Sequence, residues 1–319
     1  MVAGLAVMVV TTFAAIVVSA PVEASSVAPA GISKSCRSQA FPEPSTQTID
    51  VDGVARQYRV ATPARGGKGL RPLILNFHGQ GRDSVTQATY SELEAKGPAR
   101  GFVVITPDVG EQNFWTLAVP NATMDSVEID ALSNLAFTSA LIETAVADLC
   151  VNARRVYATG FSAGAAMSVY LGCTLRPQLA GIAPVAGVNA ALPCPDGKPM
   201  PVIAFHGTAD PEVSYDARGF MCCPSIAPQA VEDAVRVWAE RAGCQAKPSR
   251  KRIGSDVERI AYRGCVRSSD VVLYKVVNGA HNWPGSFELD DLGLPTQDIN
   301  AADLILDFFS QHPPAKHAQ

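Results

Sequence analysis

Short apolar runs alternate along this chain with segments in which apolar residues recur at helical spacing. The runs are rich in aliphatic residues, and each leads into a loop that contains glycine or aspartate. This pattern is typical of strands buried on both faces of a sheet. In chain order they read PLILNF, FVVITP, RRVYATG, LAGIAPV, PVIAFHG and DVVLYKVV. Ahead of them, the alternating stretch TQTIDVDGVARQYRVATP predicts two hairpin strands that turn at Asp52-Gly53.

Helical spacing of apolar residues fills the intervals between these strands. It predicts helices at 134–149, directly after Ser162, near 229–242 and at 299–310. Buried strands that alternate with helices form a mostly parallel, twisted sheet covered by helices on both faces, so the pattern predicts an α/β fold. It indicates neither an internal repeat nor a second domain.

The two ends of the chain depart from this alternation. Residues 1–24 are largely apolar and end in a small-residue cleavage site, which predicts a secretory signal peptide, although no lysine or arginine precedes Lys34. A membrane anchor is the alternative, but the apolar stretch is short for a membrane span. We expect a mobile leader at 25–45, a single folded domain at 46–311 and a disordered tail at 312–319.

Composition limits the classes of partner. The chain has 319 residues, 47% of them hydrophobic, and a formal charge of −4, so it can bury a large core and has no basic surface for nucleic acid. None of its eight cysteines has the C-x-x-C spacing of zinc or redox sites, which favours disulfides formed in an oxidising compartment. We expect a bond between Cys244 and Cys265, each of which follows a glycine, and distant partners for Cys222 and Cys223.

The first candidate for chemistry is the pentapeptide GFSAG at 160–164, which follows the run RRVYATG. It fits G-x-S-x-G, the strand-to-helix turn that exposes a nucleophilic serine in α/β-hydrolases. Alone, the match is equally compatible with a glycine-rich helix cap. The rest of the chain must therefore supply a base, an acid and donors to an oxyanion.

The base can be found by elimination, because the chain has only five histidines. His312 and His317 lie in the predicted tail, and His78 and His206 each end a buried strand. His281 follows the last buried run and precedes the last helix. Because α/β-hydrolases order their triad as Ser, Asp or Glu, then His, we interpret His281 as the base that takes the proton of Ser162.

The acid should follow a strand that lies between the serine and the histidine in sequence. Asp210 comes a few residues after the strand in PVIAFHG and would accept the Nδ1–H of His281. Glu212 and Asp216 remain alternatives. Asp196 and Asp270 precede their strands and therefore belong to the opposite edge of the sheet.

The oxyanion hole requires two backbone donors near the serine. We expect the N–H of Ala163, at the start of the helix, and the N–H of Gln80 in the glycine loop HGQG. Three aromatic residues, Trp115, Phe161 and Trp283, are candidates for binding the substrate, with core packing as the alternative. The segment 214–230 is a candidate flap over the site, with a surface loop as the equal alternative.

The stretches HGQG, GFSAG, IAPVAG, HGTAD and HNWPG, in this order, resemble the polyhydroxybutyrate-depolymerase-like esterases, a group that includes secreted feruloyl and acetylxylan esterases. The likeness covers residues 46–311. It implies an α/β-hydrolase fold, catalysis by Ser162, Asp210 and His281 without metal or other cofactor, and export. The chain departs from the family at Ala165, where a glycine is common, and at Ser133-Asn134, where paired aspartates are usual.

Together, the residues and the resemblance predict a secreted serine carboxylic-ester hydrolase that forms an acyl-enzyme, of the feruloyl or acetylxylan type. Hydrolysis of polyhydroxybutyrate-like polyesters is the alternative, ahead of a peptidase or a non-catalytic binding protein. The expected partner is a small or polymer-linked ester. Neither nucleic acid nor stable insertion into a membrane is expected.

Overall fold

The computed structural model describes the main body of the chain in several segments. These are residues 43–64, 69–110, 115, 125–175, 179–191, 198–218, 229–289 and 292–314, with 125–132 described as backbone only. The predicted signal peptide at 1–24 and most of the leader at 25–45 lie outside these segments, as do residues 219–228 of the candidate flap and 315–319 of the tail. In the segments covered, no helix has the length and apolar character needed to cross a membrane.

The described strands form a single sheet. They are β1 (Ser45–Val51), β2 (Val54–Ala61), β3 (Arg71–Phe77), β4 (Val103–Pro107), β5 (Val151–Phe161), β6 (Gly181–Val185), β7 (Val202–Gly207), β8 (Ser249–Ile253), β9 (Val257–Tyr262) and β10 (Val271–Val276). Their order across the sheet is β1-β2-β4-β3-β5-β6-β7-β10-β9-β8. The six central strands, β4 to β10 in this order, run parallel, and antiparallel pairs flank them at both edges.

The sequence pattern explains the central strands. Every residue of β3, β4, β6 and β7 is buried, as their largely apolar composition predicts. The β1–β2 hairpin turns at Asp52 and Gly53, both of which have positive φ angles, as a two-residue hairpin turn demands. The predicted α/β sheet with an N-terminal hairpin is therefore confirmed.

Helices cover both faces of the sheet. They are α1 (Ser84–Ser91), α2 (Leu93–Lys96), α3 (Asp125–Asp148), α4 (Ala163–Thr174), α5 (Val231–Arg241) and α6 (Ala301–Gln311). Apolar residues of α3, α4 and α5 pack into one core cluster, and those of α1, α2 and α6 pack into a second. The sheet separates the two clusters because its strands contribute alternate side chains to each.

Some elements differ from the expected pattern. Helix α3 begins at Asp125 instead of 134, and α1 and α2 fill the β3–β4 connection, where no helix was expected. Helix α1 starts at its cap Asp83, whose carboxylate accepts the Thr86 N–H at 2.7 Å. The β8–β9 hairpin was not predicted, because the residues of β8 are polar and nearly all exposed and so form no buried apolar run. His312 is buried at the end of α6, so order extends beyond the expected boundary at 311.

The expected bond between Cys244 and Cys265 is present and joins the end of α5 to the end of β9. Cys150 and Cys173 each take part in a disulfide as well. Cys36, Cys194, Cys222 and Cys223 lie outside the described residues, so the expectation for the Cys222-Cys223 pair stays a prediction.

Replacing both Cys244 and Cys265 by alanine should lower the free energy of unfolding by about 3 kcal/mol, because the bond closes a loop across 21 residues of sequence. Urea unfolding of the double variant measures the loss. Val266→Ala is a matched control, since its side chain is exposed beside the bond and should contribute little. An unchanged unfolding free energy in the double variant would show that this bond does not stabilise the fold.

Candidate active site

Ser162 lies on the sharp turn between β5 and α4. Its backbone angles, φ 56° and ψ −116°, fall outside the regions that side chains with a Cβ ordinarily adopt. The turn is held from both sides, because the Ser162 N–H donates to the Val185 carbonyl and the Ser162 carbonyl accepts from Ala166 N–H, each at 3.0 Å. Such a strained residue persists only where its surroundings fix it, and this is common at functional sites.

Two glycines allow the turn to form. A Cβ on Gly160 would lie 2.5 Å from the Gly164 carbonyl, and a Cβ on Gly164 would collide with the carbonyl of Phe77 at the end of β3. Neither position has room for any side chain. The spacing of G-x-S-x-G here follows from the close approach of α4 to the sheet, which excludes the alternative of an ordinary helix cap.

His281 and Asp210 meet at the same edge of the sheet. His281 Nδ1 lies 2.7 Å from Asp210 Oδ2, and both side chains are almost wholly buried. The other carboxylate oxygen, Oδ1, accepts the backbone N–H groups of Glu212 at 2.9 Å and Val213 at 2.8 Å. The imidazole therefore donates from Nδ1, which leaves Nε2 as the ring nitrogen able to accept a proton.

The surroundings of Asp210 favour its charged form. Burial by itself raises the pKa of this carboxyl, but hydrogen bonds from His206 and His281 outweigh burial and hold the pKa well below its usual range. The two alternative acids have other contacts. Glu212 supplies only its backbone N–H to Asp210, and Asp216 is an exposed carboxylate that hydrogen-bonds Ser214 and the Arg218 N–H.

Ser162 and His281 line one cleft of about 390 Å³. The residues around it are Gly79, Gln80, Arg82, Phe161, Ser162, Glu212, His281 and Leu292. The cleft thus contains the candidate nucleophile, the candidate base and the glycine loop that follows β3.

His78 fixes that glycine loop. Its Nε2 accepts the Val109 N–H at 3.2 Å, so its Nδ1 carries the proton and donates to the Gly79 carbonyl at 2.8 Å. Burial lowers the pKa of the His78 imidazole, which favours this neutral form. The carbonyl of Gly79 is thereby tied to the His78 ring, and the next residue, Gln80, borders the cleft.

Ala163 is the first residue of α4 and is buried. The first N–H groups of a helix have no acceptor within the helix, and they carry the positive end of its dipole. Ala163 thus follows Ser162 directly in the chain, and Gln80 borders the cleft that Ser162 also lines; their role as oxyanion donors stays a prediction.

The three aromatic candidates are not equivalent. Phe161 borders the cleft and packs against the His281 ring, with ring centres 4.8 Å apart. Trp115 and Trp283, each 1% exposed, lie in the core instead of in the cleft wall. The Trp115 indole N–H donates to the His78 carbonyl at 2.9 Å, and the backbone N–H of Trp283 donates to the Tyr90 hydroxyl at 2.8 Å. Both tryptophans therefore contact residues of the site without lining the cleft. The expectation that they contact substrate is corrected.

Sequence reasoning missed Tyr90. Its hydroxyl accepts from the chain just after His281, its ring packs edge-on against Phe161, and burial raises its pKa to about 12. Its only sequence signal is an apolar ring in a short helix.

At Ser133-Asn134, where the family usually has aspartates, the Arg56 guanidinium donates to the Ser133 hydroxyl and to the Asn134 amide oxygen.

Comparison with known proteins finds that this chain is similar to esterases. Residues 65–219 match the family described as phospholipase/carboxylesterase. The putative esterase NocK of Nocardia uniformis subsp. tsuyamanensis is 29% identical over 82% of this chain and 80% of its own length. Feruloyl esterase D of Neurospora crassa is 25% identical over 74% of this chain and 77% of its length. Feruloyl esterase B of Piromyces equi is 26% identical, but this chain spans only 40% of it.

Solved structures agree on the fold. An acetyl xylan esterase from Aspergillus awamori superposes with a TM-score of 0.57 at 12% identity, covering 83% of this chain and 99% of the other. Esterase 2 of Thermogutta terrifontis superposes with a TM-score of 0.52 at 18% identity, covering 86% of this chain and 96% of the other. The α/β-hydrolase fold is therefore confirmed, and so is the resemblance to feruloyl and acetylxylan esterases.

Asp210→Asn should make stability less sensitive to acid. Because the pKa of Asp210 is depressed in the folded chain, its charge stabilises the fold above the unfolded value of about 3.9. That contribution is lost as the pH falls from there toward the folded pKa. Between about pH 4 and pH 2, the unfolding free energy of the wild type should therefore fall more steeply than that of Asp210→Asn.

Urea unfolding at a series of pH values measures both slopes. Asp233→Asn, on the exposed face of α5, is the control and should retain the slope of the wild type. Equal slopes for the wild type and Asp210→Asn would contradict the depressed pKa.

Proposed function

We propose that this chain, which is a carboxylic-ester hydrolase, acts through an acyl-enzyme on Ser162, with His281 as the general base and Asp210 as the group that orients it. The observation that carries the proposal is the 2.7 Å hydrogen bond between His281 and the buried Asp210, at the cleft that Ser162 also lines. This arrangement supplies a nucleophile, a base and an orienting acid in the chain order of α/β-hydrolases.

Acylation proceeds through two proton transfers at one nitrogen. Ser162 Oγ attacks the ester carbonyl carbon while its proton passes to His281 Nε2, giving an imidazolium that the Asp210 carboxylate stabilises. The carbonyl oxygen, on which negative charge develops, accepts hydrogen bonds from the N–H groups of Gln80 and Ala163. His281 then returns the proton to the leaving alkoxide oxygen, and the alcohol departs.

Deacylation repeats the same steps with water. A water molecule loses a proton to His281 Nε2 and attacks the acyl carbon, and the new C–O bond replaces the bond to Ser162 Oγ. The proton returns to Oγ as the carboxylic acid is released. The depressed pKa of Asp210 suits this cycle, because the carboxylate stays ionised while the imidazole gains and loses its proton.

The substrate class we propose is a feruloyl or acetylxylan ester. Relatives with these names support the choice, and Phe161 provides an aromatic wall beside His281 where a planar acyl group fits.

A specific observation favours a second candidate, hydrolysis of a hydroxyalkanoate polyester. Phe287 and Leu294 are 48% and 77% exposed on the loop that contributes Leu292 to the cleft, and they offer an apolar surface to a polymer.

We also propose that the chain is exported. Disulfides persist in oxidising compartments, and Cys150, Cys173, Cys244 and Cys265 are all disulfide-bonded. The predicted signal peptide at residues 1–24 is the segment that would direct export.

Ser162→Ala should lower kcat for a short p-nitrophenyl ester by about 10⁵- to 10⁶-fold, as expected when a nucleophile that acts as one unit with its base is removed. The wild type should also be labelled covalently at Ser162 by a fluorophosphonate, and the variant should not. Ser168→Ala is the matched control, because it makes the same change inside α4 and should keep kcat nearly unchanged. Turnover that survives Ser162→Ala would refute the proposed nucleophile.

A substrate panel decides between the two substrate classes. We expect kcat/KM for methyl ferulate or acetylated xylan to exceed that for hydroxybutyrate oligomers by at least about tenfold, equivalent to about 1.4 kcal/mol in transition-state binding. A preference for the oligomers would favour the polyester candidate instead. A peptide amide cleaved faster than its matched ester would overturn both.

A further inference from the structure

A second histidine contacts the carboxylate that orients His281. His206 lies in β7, four residues before Asp210, and its side chain is completely buried. Its Nε2 lies 2.8 Å from the Val213 carbonyl and 3.3 Å from Asp210 Oδ2. The proposed mechanism gives this buried, titratable group no part in proton transfer.

The contacts of His206 determine which nitrogen donates. Nδ1 is buried and has no hydrogen-bond partner among the described residues, whereas Nε2 faces two oxygen atoms that can only accept. In the neutral ring the proton therefore belongs on Nε2. The Nε2–H is shared between the Val213 carbonyl and the Asp210 carboxylate, and the ring packs edge-on against Tyr215.

His206 closes a ring of hydrogen bonds around Asp210. The Val213 N–H donates to Asp210 Oδ1, and the Val213 carbonyl accepts from His206, which also reaches Oδ2. Asp210 thus has backbone donors on Oδ1 and two imidazoles on Oδ2. With Oδ1 fixed by the backbone, His206 and His281 together determine where Oδ2 lies.

We infer that His206 is a positioning residue for ester hydrolysis: its Nε2–H holds Asp210 Oδ2 in the orientation that accepts the Nδ1–H of His281. The inference rests on the proposed function, because it assigns His206 a role only through the Asp210–His281 pair. His206 itself touches neither the substrate nor the reacting atoms.

Two polar variants separate the donor from the bulk of the ring. The side-chain nitrogen of glutamine lies near the position of Nε2, so His206→Gln retains a donor toward Asp210 and Val213. The side-chain nitrogen of asparagine lies near the position of Nδ1, so His206→Asn places its donor where His206 has no hydrogen-bond partner among the residues that the structure describes. Both variants bury an amide, so they carry a similar risk to folding.

We expect His206→Gln to retain kcat within a few-fold of the wild type and His206→Asn to lose about 10- to 100-fold, the equivalent of one hydrogen bond to a charged group. KM for the p-nitrophenyl ester should stay nearly constant in both, because no contact with substrate changes. kcat is normalised to the fraction of enzyme that a fluorophosphonate labels, which removes unfolded protein from the comparison.

A spectroscopic measurement reports the positioning directly. In proton NMR, the far-downfield resonance of the His281–Asp210 hydrogen bond should persist in His206→Gln and should shift or broaden in His206→Asn. His312→Gln is the control for a buried histidine elsewhere, at the end of α6, and should leave both kcat and that resonance unchanged.

Equal kcat in the Gln and Asn variants, whether both are high or both are low, would overturn the inference, because the position of the donor would then not matter. An unshifted resonance in a folded Asn variant would overturn it as well. If Ser162→Ala abolishes turnover while the two His206 variants behave alike, only this inference falls. If Ser162→Ala stays active, the proposed function falls first.

Discussion

The direct contact between the backbone of α4 and the end of β3 is the constraint on which the site depends. Gly160 and Gly164 allow this contact, because no Cβ fits at either position. The contact forces Ser162 into a conformation with φ 56° and ψ −116°, which carries its side chain out of the sheet and into the cleft. The same contact brings the start of α4 beside the glycine loop that follows β3, so that two backbone segments flank the serine.

Buried hydrogen bonds, rather than surface ion pairs, hold the remaining groups of the site. The Asp210 carboxylate accepts hydrogen bonds from two backbone N–H groups and two imidazoles, and these bonds outweigh the cost of burying its charge. His78 and Tyr90 hold the two neighbouring loops in the same way, through backbone groups of the glycine loop and of Trp283. Each proposed catalytic group is thus positioned by partners whose own conformations are fixed, as a preorganised site requires.

The chain order of the buried strands made the sheet, and the edge at which the candidate site residues lie, predictable from the sequence. Ser162, Asp210 and His281 each follow a strand of the parallel region, namely β5, β7 and β10, and the carboxyl ends of parallel strands share one edge of a sheet. The strands themselves were predictable because continuous apolar runs leave few alternatives for a segment of that length.

The contacts that were not predictable join distant parts of the chain. Tyr90 and Trp283 are separated by 193 residues, and no local pattern indicates that the hydroxyl of one meets the N–H of the other. Trp115 and Trp283 were considered as substrate contacts because large aromatic rings suit clefts and cores equally, and only the packing around them decides. The polar strand β8 was missed because it forms by pairing with β9 at the sheet edge, without an apolar face of its own.

The most direct measurement is a crystal structure of the enzyme after reaction with a fluorophosphonate. The account predicts phosphorus bonded to Ser162 Oγ, one phosphonyl oxygen within hydrogen-bond distance of the N–H groups of Gln80 and Ala163, and His281 Nε2 facing the adduct with Nδ1 still on Asp210. An adduct on any other residue, or a phosphonyl oxygen turned away from both N–H groups, would contradict it.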